Sequence, residues 1–175
     1  MEVVLGGMAL SVAIAAILGA YIGQLTLNEH ARNLSVAIQD ANRVIERIRQ
    51  QNTSAAGCTT APSALPPGGF ATWDVWLDDT SPTGGGGKSI YPDPNPAVNE
   101  PHELVVLTSQ NRDGSPLLAG ANPIRVTAAV CWRHRNRTLG ECTWSGTSLS
   151  ANPGAGGDPL ATESPAMLTT LVTCR

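Results

Sequence analysis

Val3–Ile22 reads VVLGGMALSVAIAAILGAYI, twenty residues without a charge. Ser11 and Tyr21 carry its only polar side-chain atoms. A helix of that length spans about 30 Å, the thickness of a bilayer's hydrocarbon core. Glu2 stands at the lip of the run. A carboxylate there is costly in lipid unless it reaches water or meets an opposite charge. A secretory signal peptide needs a basic start and a short apolar core. Here the start is acidic, the run is too long, and the first basic residue is His30 or Arg32. No Lys or Arg precedes the span to orient it as a plain anchor. The expectation is a basic leader already cleaved, or a start downstream of the natural one.

The helical pattern continues beyond the run. Leu27, Ala31, Leu34, Ile38, Ala41, Ile45 and Ile48 recur at alternating steps of four and three, one apolar stripe on a helix. Arg32, Gln39, Asp40, Arg43, Glu46 and Arg47 fall on the remaining faces. No proline interrupts residues 1–52. The pattern predicts one helix of about fifty residues, roughly 75 Å long. Residues 1–24 form its all-round apolar half, and residues 25–52 an amphipathic half that must bury one face. A short coiled coil is the alternative for that second half.

Residues 53–175 read as a loop-rich β domain. Most of the 18 Gly and 13 Pro lie here. Phe70–Leu77, Glu103–Thr108, Ile124–Arg133 and Met167–Cys174 are the strand candidates, and Val126, Ala128, Val130 and Trp132 alternate onto one face. With no second amphipathic helix for a crossover, antiparallel pairing is expected. The fold class is therefore α+β: a long N-terminal helix, its apolar half protruding, packed through its second half on a small antiparallel sheet.

The four cysteines, Cys58, Cys131, Cys142 and Cys174, form no C-x-x-C pair, which argues against a zinc ribbon. Outside a membrane anchor they read as two disulfides stapling a small domain. Three connectivities are open. The expected one joins Cys131 to Cys174 across neighbouring strands and Cys58 to Cys142. The competing one joins Cys131 to Cys142 and Cys58 to Cys174.

Motifs for chemistry are weak. Gly84–Ser89 (GGGGKS) suggests a phosphate loop, but Pro82 stands where that loop needs its first glycine. A surface loop is expected. Cys131–Arg137 (CWRHRNR) is basic, yet the formal net charge is −3, so no nucleic-acid partner is expected. Asp78, Asp79, Asp93, Glu100 and Glu103 lack EF-hand spacing, and the three histidines are scattered. No metal and no cofactor is expected. Neither G-x-S-x-G nor H-E-x-x-H occurs, so no enzyme is expected either. Asn52 and Asn136 begin glycosylation-like triplets that arise often by chance.

Met1-Glu2-Val3-Val4-Leu5 and the long apolar helix resemble the start of a mature type IV pilin or type II secretion pseudopilin. Gln39–Gln51 (QDANRVIERIRQQ) is similar to the amphipathic half of minor, PilV-like pilins, and Pro165–Arg175 to their final strand. The resemblance is specific over residues 1–51 and weak over the middle of the domain. In that family a peptidase cuts a basic leader after glycine and methylates the new terminus. An acid four residues on pairs with a neighbouring subunit's terminal amine. Glu2 matches that acid, while the leader and the terminus are not in this sequence. The resemblance implies a non-enzymatic structural subunit of a type IV pilus or secretion pseudopilus. It would be made as a single-pass inner-membrane protein with a periplasmic C-terminal domain. Its partners would be other pilin or pseudopilin subunits, the membrane, and the prepilin peptidase on the precursor. A membrane-anchored periplasmic binding module that never assembles is the alternative.

Overall fold

The computed structural model describes residues 2–53, 61–90, 103–134, 137–140, 142–145, 148–152, 161–162 and 166–174. Helix α1 (Glu2–Thr53) runs unbroken for 52 residues, about 78 Å at 1.5 Å per residue. The chain comprises two compact units, Met1–Ser35 and Val36–Arg175.

In the first unit the large apolar side chains face outward. Val4, Met8, Leu10, Val12, Ile17, Tyr21 and Ile22 are all exposed. Among the described residues this is the one helix long and apolar enough to cross a membrane.

The second unit is an α+β domain. Ala37, Ala41, Val44, Ile45 and Ile48 of α1 are buried, as is Asp40. The expected stripe thus holds from Ala41 to Ile48, with Ala37 and Val44 added. Leu27 and Ala31 are exposed. Helix α2 (Trp73–Asp78) follows, then β1 (Glu103–Asn111) and β2 (Ile124–His134). The short strands β3 (Arg137–Leu139), β4 (Cys142–Trp144), β5 (Leu149–Ala151) and β6 (Ala161–Thr162) precede β7 (Met167–Val172).

β2 is the centre of the sheet. β1 pairs along one side of it in antiparallel register from Glu103↔Trp132 to Asn111↔Ile124. On the other side lie β7, antiparallel from Ile124↔Val172 to Ala129↔Met167, and β3. One short pairing departs from the antiparallel expectation: β3 and β6 run parallel. Val126, Val130 and Trp132 are fully buried on one face of β2. Glu103 and Thr170 belong to the same face by register. Bonds from α1 reach it, since Arg49 Nη2 donates to Thr170 Oγ1 at 2.8 Å. On the opposite face the β4–β5 hairpin packs Cys142, Leu149 and Trp144 against Cys131, Leu104 and Val106.

Two expectations are corrected. Phe70–Leu77 is not a strand. Thr72 Oγ1 accepts from Val75 N as an N-cap, and Asp74 lies in the first turn. Trp73, Trp76 and Leu77, at helical spacing, are the residues buried, and the two indoles meet edge to face at 5.3 Å.

The Cys131–Cys174 pairing is also overturned, because Cys131 is bonded to Cys142. β2 and β7 are antiparallel neighbours as expected, but antiparallel strands place their C-terminal ends apart. Cys131 lies beyond the Ala129↔Met167 end of the ladder and Cys174 beyond the Ile124↔Val172 end. The turn after β3 returns Cys142 to Cys131 instead, with Cα atoms 6.2 Å apart. Cys174 is disulfide-bonded as well, and Cys58 lies outside the described residues.

Candidate functional site

Two features stand out: the apolar half of α1 and a polar clasp that fixes its amphipathic half to the domain.

Two hydroxyls, one in the apolar half and one just beyond it, are closed on their own helix. Ser11 Oγ donates to Gly7 O at 2.8 Å and Thr26 Oγ1 to Ile22 O at 3.0 Å. A hydroxyl bonded four residues back needs no water, so the segment suits lipid or a bundle of apolar helices. Gly6, Ala9, Ala13, Ala16, Ala20 and Gly23 recur at steps of three and four, in phase with Glu2. A Cβ built on Gly6, Gly19 or Gly23 meets nothing within 4 Å, so no packing within this chain demands these glycines. Small residues on one helix face permit close backbone approach between helices in apolar surroundings. The stripe was present in the sequence but hidden, because the segment is apolar all round. Glu2 is the first residue of α1, and its side chain lies outside what the structure describes.

The clasp centres on Arg43. Its guanidinium pairs with Asp40 one turn back. It also donates to Gly85 O at 2.7 Å, Gly87 O at 2.9 Å and Ser89 Oγ at 2.7 Å. Ser89 in turn donates its N–H and hydroxyl to the two Asp40 oxygens, each at 3.0 Å. The glycine loop therefore does the reverse of a phosphate loop, which aims N–H groups at an anion. Here the carbonyls of Gly85 and Gly87 converge on a cation. The N–H groups of Gly84, Gly85, Gly86 and Gly87 are spent on the carbonyls of Ser81, Trp76, Asp79 and Leu77. Those of Gly85 and Gly87 cap the end of α2, and none of the four is left for phosphate.

Glycine is required by this closeness. A Cβ on Gly85 would sit 2.6 Å from Leu77 Cα, and one on Gly84 2.2 Å from Asp79 O.

Lys88, the only lysine in the chain, extends the network. Its Nζ lies 2.9 Å from Asp74 Oδ2 and 3.1 Å from Glu103 O, while Asp74 Oδ1 accepts from Val105 N at 3.0 Å. A second pin lies at Asn52, which is buried. It exchanges two hydrogen bonds with the Ser63 backbone, at 2.8 and 2.7 Å. Its amide is thus held in the core, which disfavours the glycosylation-like triplet.

Glu103 and Asp40 complete the clasp, both fully buried. Glu103 Oε2 accepts from Ile90 N at 3.2 Å, and Oε1 has no donor. Burial first, then the hydrogen bond and charge of Asp40, push the Glu103 carboxyl up to about 8. Sequence analysis placed Asp40 on the faces left by the apolar stripe and Glu103 at the start of a strand, and foresaw neither as a buried pair. The pairing of Asp40 with Arg43 one turn on was the visible hint.

Of the other candidates, Asp93, Glu100, His102 and Asn136 lie outside the described residues. Asp79 accepts from Ser81 N and Oγ. Among the described residues no group of three His, Cys, Asp or Glu could hold a metal. Arg133 of the basic stretch lies over the Trp144 ring, 4.1 Å from its centroid, a contact within the domain. A cleft of about 430 Å³ opens between α2 and β1, lined by Pro66, Trp73, Leu104, Val106, Leu107 and Ala151.

No known protein family, characterised protein or solved structure matches the chain.

Proposed function

We propose that the chain is a pilin-like structural subunit, a minor pilin or pseudopilin of a type IV pilus or type II secretion pseudopilus. On this reading it needs no active site. The observation that carries the reading is one continuous helix with two chemistries. Its first half is apolar and outward-facing, with the Ser11 hydroxyl closed on the helix. Its second half is bonded side chain by side chain to an α+β domain. The first half suits a bilayer before assembly and a bundle of like helices after it, since both are apolar solvents. The stripe in phase with Glu2 supports the bundle. In register, Glu2 would meet a neighbouring subunit's amine, and an opposite charge stabilises a carboxylate in lipid. Before assembly the chain would sit in the inner membrane with its domain in the periplasm.

The test is Glu2→Ala, with sheared filaments from producing cells probed for the chain. Incorporation is expected to fall while the domain's near-ultraviolet melt stays unchanged. Incorporation at the unmutated level refutes this role for Glu2. The second reading, an anchored binding module, draws on the cleft between α2 and β1. It predicts no filament incorporation for either chain.

A further inference from the structure

We propose that Asp40 and Glu103 form a proton-operated latch, in which one buried proton shared between the two carboxyls holds the glycine loop and β1 against α1.

The geometry demands that proton. Asp40 has no spare need for a donor, because Arg43 and both donors of Ser89 already serve its oxygens. Toward α1 and the loop, Asp40 therefore acts only as an acceptor, one of its donors being a guanidinium. Glu103 is different. It is 1% exposed, its Oε2 has a single backbone donor, and its Oε1 has none. A buried carboxylate oxygen without a donor is a costly vacancy. A proton on Glu103 turns this acceptor into a donor, and Asp40 is held beside it, because the consecutive N–H groups of Ser89 and Ile90 bond Asp40 Oδ2 and Glu103 Oε2. Two ionised carboxylates side by side in the same dry place would instead repel.

Among the described residues, charges approach Glu103 from three elements. From α1 come Asp40, which raises the Glu103 affinity for a proton, and Arg43, committed to Asp40 and the loop carbonyls. From the loop comes Lys88, which lowers it. Helix α2 supplies Asp74, bonded to Lys88. On β2 the residue opposite Glu103 is Trp132, which does not titrate. Burial and Asp40 outweigh Lys88, and the carboxyl keeps its proton to about pH 8.

The folded chain thus binds a proton between about pH 4.5 and 8 that the unfolded chain has released. The stabilisation is fully present below that window and is lost as pH rises through it. The folding equilibrium constant falls by up to about tenfold per pH unit. The loss opens the latch first, because Glu103 is bonded to Ile90 and Asp40 to Ser89.

The test uses the full chain in detergent micelles. Infrared spectra of the unmutated protein at about pH 6 should show the C=O stretch of a protonated carboxyl, since ordinary carboxyls are ionised there. That band should vanish with a midpoint near 8. In parallel, amide exchange at Gly84–Ile90 should quicken. Glu103→Gln, which fixes the neutral, donating form, should abolish the band and flatten both exchange and stability across the window. Asp40→Asn should lower the midpoint. Absence of the band at about pH 6 overturns the latch without any variant. A Glu103→Gln profile that follows the unmutated one overturns it as well.

Discussion

Replacing Arg43 with alanine is the sharpest probe of the clasp. The substitution removes donors from Gly85 O, Gly87 O and Ser89 Oγ and strips Asp40 of its cation. The Asp40 side chain is fully buried, and breaking a buried ion pair by deleting one partner costs about 3–5 kcal/mol. The Arg43 side chain is 33% exposed, so water reaches part of the vacated space and can serve the loop carbonyls. Ser89 still donates twice to Asp40. The net expectation is a loss of about 2–3 kcal/mol, a large share of the 5–15 kcal/mol typical of a domain. For roughly 150 residues that is a fall in Tm of about 4–12 °C. Near-ultraviolet circular dichroism reads it cleanly, because all four tryptophans lie in the domain, at residues 73, 76, 132 and 144. Arg43→Ala with Asp40→Asn together should cost less than the sum, by about 1–2 kcal/mol, since the double variant leaves no unpaired charge. A fall in Tm of less than about 2 °C, or strict additivity, would refute the account of Arg43 as the centre of the clasp.

Gly85→Ala should destabilise the domain by about 2 kcal/mol or more, because its Cβ would fall 2.6 Å from Leu77 Cα. Gly68→Ala, where nothing lies within 4 Å, is the control and should be nearly neutral in the same melt. Non-reducing peptide mapping should recover a Cys131–Cys142 peptide. The paired Cys131→Ser and Cys142→Ser variant should lose about 2–3 kcal/mol and expose the face that the β4–β5 hairpin covers, seen as faster amide exchange at Leu104–Val106.

What was legible in the sequence is what depends on local period. The unbroken α1, its apolar half, and the β2 alternation of Val126, Val130 and Trp132 all follow from spacing alone. The α2 segment was ambiguous for a physical reason. Trp73, Val75 and Leu77 alternate like a strand, while Trp73, Trp76 and Leu77 fit a helix. The Thr72 cap and Asp74 in the first turn decide it, and both were readable. Asp40 was not readable as a buried residue. Its donors on Ser89 lie 49 residues away, and periodicity assigns any charged side chain to solvent. The Cys131–Cys174 choice failed on strand polarity: both cysteines lie toward the C-terminal ends of their strands, and antiparallel pairing sets those ends apart.

The clasp has a purpose that burial alone could not serve. Apolar contact between α1 and the sheet is non-directional, so Ala37, Ala41, Val44, Ile45 and Ile48 would tolerate a slide of the domain along the helix. A shift of one turn would present similar residues to the same face. It would also strand Asp40 among apolar atoms and leave the carbonyls of Gly85 and Gly87 facing no cation. Asn52 adds a second fixed point nine residues on from Arg43, about 14 Å along the axis, where it grips Ser63. Two polar pins on one rigid helix set both position and rotation. On the proposed reading this is the property a fibre subunit needs.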